Sequence, residues 1–154
     1  DERTEKFGRV LERREVEPFF WQPPNGESFA QLCLRIDRVL YTLHRECGNK
    51  RVLIVCHAEV MRAFQIRLER MSQERFRELH CSDQPEDRIH NCEVMHYTRR
   101  DQNSGKLLPY MGYMRKVRPA EDPIWTSGWM EIRRPRYSNE DLLEIVSRTP
   151  PMVQ

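Results

Sequence analysis

The chain has 154 residues, 38% of them hydrophobic and 32% charged, with a formal net charge of +2. That length suits one domain, which buries roughly 70% of its unfolded surface. The charge gives no global attraction for nucleic acid, and no apolar run nears the roughly 18 residues of a membrane span or follows a signal-peptide pattern.

Five cysteines, Cys33, Cys47, Cys56, Cys81 and Cys92, form no CxxC pair. An odd count in a chain of this length argues against a disulfide framework. Cys33 and Cys56 fall in apolar patterns, as buried thiols do, which points to a reducing, cytoplasmic setting. Asp1 is not a translation start, so the expectation is that sequence upstream of it was removed or left out.

Residues 1–27 show little periodicity and hold Phe19, Phe20, Trp21, Pro23 and Pro24. They read as an irregular aromatic loop with a short helix near Val10–Val16. The two prolines disfavour helix before Asn25. Residues 28–47 carry the clearest helix pattern. Phe29, Leu32, Cys33, Ile36, Val39, Leu40 and Leu43 recur at three- and four-residue steps and form one apolar stripe. Ser28 with Gln31 fits a capping box, and Gly48 is placed to end the helix in a left-handed turn.

Val52–Cys56 is the longest apolar run and does not alternate. A strand buried on both faces looks like this, which predicts a parallel sheet covered by helices. A second helix is predicted over about Glu59 to Arg70, and Ser72 caps a third through about Leu79. Helix, strand and helix in succession is an α/β signature. Cys92, Val94 and His96 alternate against Glu93, Met95 and Tyr97 in a half-buried strand. Asp101 to Gly105 reads as a turn, and Leu107 to Val117 as the returning strand of a hairpin. Residues 118–137 read as an irregular arm rich in Pro, Trp and Arg. Ser138 with Asp141 opens a last helix carrying Leu142, Leu143, Ile145 and Val146, which Pro150 and Pro151 end.

Two short segments carry the chemistry. In open α/β sheets, ligands bind beyond the carboxyl ends of strands. His57 follows the predicted strand and precedes a helix, beside amides that favour an anion. Histidine at such a place suits proton transfer or phosphate contact near neutral pH; the plainer role is a packed or solvent-facing side chain in a turn. Glu27 lies in a Gly-Glu-Ser step before the capped helix. A carboxyl there can protonate a leaving oxygen if burial or a nearby anion raises its pKa. Taken alone, a glutamate serving the helix dipole is the commoner role.

Together, Pro24-Asn25-Gly26-Glu27-Ser28-Phe29, a long helix containing Arg35, and Val-Leu-Ile-Val-Cys56-His57-Ala58 resemble the second half of the histidine phosphatase (phosphoglycerate mutase-like) superfamily. Glu5-Lys6-Phe7-Gly8 resembles the segment upstream of its Gly-Glu-Ser loop. Asn91-Cys92-Glu93-Val94 resembles its Asn-x-x-Val strand. The resemblance spans about residues 1–117. It implies phosphoryl transfer through a phosphohistidine, with Glu27 as general acid and His57 as the second, phosphate-binding histidine. Ser28, Ala58 and Asn91 fall at phosphate- or substrate-binding positions. Ala58 replaces the glycine of many members, a mild departure in backbone freedom. The Arg-His-Gly motif that supplies the family's nucleophile appears nowhere in these residues. Leu43-His44-Arg45-Glu46-Cys47 is no substitute, since it falls on a helix. A domain without the strand leading to that motif leaves unpaired backbone and exposed apolar faces. A missing N-terminal segment, a partner chain or self-association is expected to supply the rest.

Weaker constellations carry less. His80, Cys81, His90, Cys92 and His96 lack the tight spacing of structural zinc sites, so no metal and no cofactor are expected. Arg99-Arg100 and the Arg133–Arg136 cluster read as solvated faces. Trp125, Trp129 and Tyr137 more often pack back onto a domain than bind a ligand.

The resulting expectation is an α/β three-layer sandwich with a mainly parallel sheet. Residues 1–117 form the C-terminal portion of a histidine phosphatase-like domain, and residues 118–154 an extension packing on the domain or a partner. The implied activity is a phosphomonoester hydrolase or related mutase acting on a phosphorylated small molecule or phosphoprotein, with its nucleophile outside these residues. The other reading is an inactive module used for binding or assembly.

Overall fold

The computed structural model describes Gly8, residues 12–134 and residues 136–148. Residues 12–16 are helical, while the start of the helix expected near Val10 and most of the Glu5–Gly8 segment lie outside the described residues. Helix α1 (Phe29–Glu46) buries Leu32, Cys33 and Ile36. Its capping box is reciprocal: Gln31 N–H donates to Ser28 Oγ at 3.2 Å, and Ser28 N–H donates to Gln31 Oε1 at 2.9 Å. Two N-terminal donors are thereby satisfied at once. The left-handed residue past the helix end is Asn49 (φ 60), not the expected Gly48. Asparagine reaches that region through local hydrogen bonding of its short side chain.

Helix α2 (Ala58–Glu69) ends at Arg70, held in the left-handed conformation at φ 52. Ser72 then caps helix α3 (Gln73–Cys81), which buries Phe76 and Leu79. Leu32, Cys33, Ile36, Ala63, Ile66 and Phe76 form one buried cluster across the three helices. Phe76 is fully buried. Its ring centroid lies 4.7 Å from that of Phe29 and 5.4 Å from that of Phe19. An ion pair from Arg67 Nε to Asp37 Oδ1 at 2.7 Å ties α2 to α1.

The sheet departs from the expected parallel one. Strand β1 (Val94–Thr98) pairs antiparallel with β2 (Tyr113–Arg118), in a register that sets His96 opposite Arg115. The Asp101 turn between them forms as expected, with Asp101 Oδ1 accepting from the amides of Asn103 and Ser104. The far edge of β2 pairs antiparallel with two short strands, β3 (Trp125–Thr126) and β4 (Met130–Glu131). Part of the Trp- and Pro-rich arm is thus sheet rather than irregular chain.

Val52–Cys56 forms no strand. Residues 51–57 have neither helix nor strand assignment, and Leu53 and Val55 are 83% and 90% exposed. An apolar run becomes a buried strand only when neighbouring strands take its N–H and C=O groups and helices cover its faces. Among the described residues no segment pairs with it. Cys33 is buried as expected, whereas Cys56, at the end of this uncovered run, is only half-buried.

A polar layer joins α2 to the sheet. Tyr97 Oη donates to Glu69 Oε1 at 2.8 Å. Arg62 is buried and donates to Gln65 Oε1 at 2.6 Å and to the Asp87 carbonyl. Lys116 Nζ donates to the Glu86 carbonyl at 3.0 Å. Both cations therefore hold the 3-10 turn Pro85–Asp87 from beneath. Glu93, whose side chain is wholly buried, pairs with Arg118 at 3.0 Å. These contacts put Glu93, Met95 and Tyr97 on the inner face of β1 and leave Val94 and His96 outside.

Helix α4 (Asn139–Arg148) carries the predicted cap, with Ser138 N–H donating to Asp141 Oδ2 and Asp141 N–H to Ser138 Oγ. None of its residues is buried. No described helix is long and apolar enough to cross a membrane.

Candidate functional site

Glu27 is presented by a tight turn. Gly26 N–H donates to the Pro23 carbonyl at 2.9 Å, with Pro24 and Asn25 (φ 60) between them. Proline second and a left-handed residue third are what a type II turn favours. A Cβ on Gly26 would stand 2.5 Å from Pro23 Cγ, so the close approach of the Pro23 ring requires glycine there. The loop is pinned to α1 by Ala30 N–H donating to the Phe19 carbonyl at 3.1 Å.

The Glu27 carboxylate is exposed and meets Arg35, two turns into α1. Nε donates to Oε2 at 3.4 Å, and Nη2 donates to Oε1. Ser28 is buried, and its hydroxyl is used in the cap of α1.

His57 is the exposed N-cap residue of α2 and makes no side-chain cap. The first amides of an α-helix have no intrahelical acceptor, so those beginning at Ala58 are oriented for an anion with no oxygen of His57 in their way. By contrast, α1, α3 and α4 each have a serine oxygen at this position.

His80 packs against the start of α1. Its ring stacks on Phe76 at 5.3 Å and meets the edge of Phe29, the first residue of α1, at 5.9 Å. Burial pushes the His80 pKa down, while the charge of Glu59, in the first turn of α2, pushes it back up. Glu27 precedes the start of α1 and His57 that of α2. Chemically, the two starts offer a carboxyl for proton transfer, an imidazole, and free amides for an anion.

Asn91 is exposed in the turn just before β1, and Cys92 beside it has φ 60. The loop it belongs to is held by Arg62 and Lys116 through the Pro85–Asp87 turn. Nothing in the sequence pattern marks Arg62 or Lys116 as buried, because both are long cations in otherwise amphipathic stretches. His80 stood in the sequence only among weak zinc candidates. Among the described residues, no group of three or more His, Cys, Asp or Glu is arranged to hold a metal ion.

A family model, the histidine phosphatase superfamily (branch 1), matches residues 1–104 of the 154. No curated protein and no solved structure matches the chain. At the coarse level of the superfamily, the match supports a phosphatase- or mutase-like function. With Gly-Glu-Ser before one helix and His-Ala opening the next, the chain belongs to the histidine phosphatase superfamily.

Proposed function

We propose that this chain is the acid- and phosphate-binding part of a phosphomonoester hydrolase that works through a phosphohistidine. The reacting histidine is supplied from outside these residues. Its nitrogen attacks phosphorus as the P–O ester bond breaks, and the Glu27 carboxyl gives its proton to the leaving oxygen. Water later cleaves the P–N bond and releases phosphate. His57 and the first amides of α2 contact the phosphoryl oxygens and stabilise their charge. Ser28, Ala58 and Asn91 border the same ligand. The substrate is a phosphorylated small molecule or a phosphoprotein, and a mutase would use the same groups.

The observation that supports this reading most is that the superfamily match takes in both the fixed turn presenting Glu27 before α1 and the uncapped amides that follow His57 at the start of α2. In the natural full-length protein, Glu27→Gln and His57→Ala are each expected to lower phosphomonoester turnover roughly a hundredfold or more, with melting unchanged. Wild-type rates in both would sink the assignment. The exposed Leu53 and Val55 favour a second reading, a module kept for assembly through this surface. It predicts no turnover in the natural protein and no effect of either substitution on partner binding.

A further inference from the structure

We propose that Arg35 is the positioning residue of the Glu27 carboxyl, an inference that rests on the general-acid reading of Glu27. Glu27 lies in a loop, outside α1, and its carboxylate is 43% exposed. A free glutamate there would sample many rotamers. The Arg35 guanidinium reaches back along α1 and donates to both carboxylate oxygens. A planar fork on two oxygens fixes the carboxylate plane as well as its position, which an ammonium group does not do. The frame that carries Arg35 is itself held, since α1 is pinned to α2 by Asp37, two residues further on, and Arg67. No acidic residue occupies the first turn of α1, so Arg35 has no rival carboxylate there.

Besides Arg35 on α1, the charged groups that act on His80 beside the start of α1 are Glu59 and Arg62 on α2 and Arg14 from the segment before the loop. Among them Arg35 alone touches the Glu27 carboxyl within hydrogen-bonding reach in the described residues. The two donated hydrogen bonds hold the Glu27 carboxyl in one orientation. Removing Arg35 frees the carboxyl from that orientation, which lowers kcat where proton donation to the leaving oxygen matters most.

The test uses the natural full-length protein with 4-nitrophenyl phosphate and glycerol phosphate, comparing wild type with E27Q, R35M and R35K. R35M is expected to lower kcat on glycerol phosphate roughly tenfold to a hundredfold, with KM within about twofold and a far smaller loss on 4-nitrophenyl phosphate, whose leaving group needs little proton donation. R35K, which keeps the charge and loses the fork, is expected to have kcat on glycerol phosphate between the two. If E27Q is inactive on glycerol phosphate while R35M shows wild-type kcat, Arg35 does not position the acid and the proposed function stands. If E27Q is fully active, the general-acid reading falls and this inference with it. Exposed ion pairs contribute little to stability, so R35M is expected to fold. Should it melt, R35K decides alone: wild-type kcat overturns positioning by the fork, and a kcat reduced on glycerol phosphate far more than on 4-nitrophenyl phosphate supports it.

Discussion

Phe29 and His80 meet with ring centroids 5.9 Å apart, edge to face, across the end of the helical layer. The contact joins the first residue of α1 to the end of α3. It makes the core under Phe76 and the candidate site parts of one structure, because the same rings serve both.

Phe76 carries the most consequential packing, being fully buried and in ring contact with Phe19, Phe29 and His80. Phe76→Ala is expected to cost about 3–5 kcal/mol. Urea unfolding of the two chains checks this, and a loss below about 1 kcal/mol would mean that the helices pack some other way.

Gly26 sets the turn that presents Glu27. Gly26→Ala places a Cβ 2.5 Å from Pro23 Cγ, so the turn must shift. Overpacking of this kind costs about 1–3 kcal/mol. Turnover in the natural protein is expected to fall, and the double variant G26A/P23A to recover most of it. Additive losses in the double variant would show that the Pro23 ring is not what Gly26 accommodates.

Glu69 gives a pH signature. Burial raises its carboxyl above the ordinary range, and hydrogen bonds from Tyr97 and Gln65 oppose this without cancelling it. A raised folded-state pKa means that the folded chain holds this proton more tightly than the unfolded chain. The stability it contributes is present in full below the unfolded value and is lost as pH rises through the folded one. Glu69→Gln removes that dependence while keeping a partner for Tyr97. Between pH 4 and 8, the variant is expected to gain stability relative to the parent as pH rises, measured by thermal melts across the range. A constant difference would contradict the shift.

The uncovered Val52–Val55 run predicts association of the isolated chain. All four residues are exposed, and no described segment pairs with them. Such a surface is an edge and an apolar patch at once. Sedimentation of the 154-residue chain is expected to show concentration-dependent self-association, reduced by Leu53→Lys with Val55→Lys. A compact, stable monomer would contradict this.

How much of this was legible in the sequence follows from the range of each interaction. Helix α1, its Ser28–Gln31 box and the Ser138–Asp141 cap were legible because every contact involved lies within a few residues. The Asp101 turn and the hairpin it joins were legible for the same reason. Val52–Cys56 reads as a strand because its residues suit one, but pairing depends on neighbours that five residues do not encode. The far side of the sheet escaped for a related reason: beyond the hairpin, β2 finds partners in two-residue segments too short to show a period. At the candidate site, Glu27 and His57 stood out through spacing and resemblance. The packing of His80 against Phe29 did not, because it depends on how α3 meets the start of α1. Arg35 was visible only as a residue of the helix, since its reach to Glu27 requires the turn made by Pro23 and Gly26.

The most direct test of the central claim is how far E27Q depends on the leaving group in the natural full-length protein. A general acid matters most when the leaving oxygen is basic, and little when the leaving group is a stable nitrophenolate. Glycerol phosphate hydrolysis is expected to fall roughly a hundredfold or more, with a far smaller loss on 4-nitrophenyl phosphate. Equal losses on both substrates, or none on either, would contradict Glu27 as the proton donor of this site.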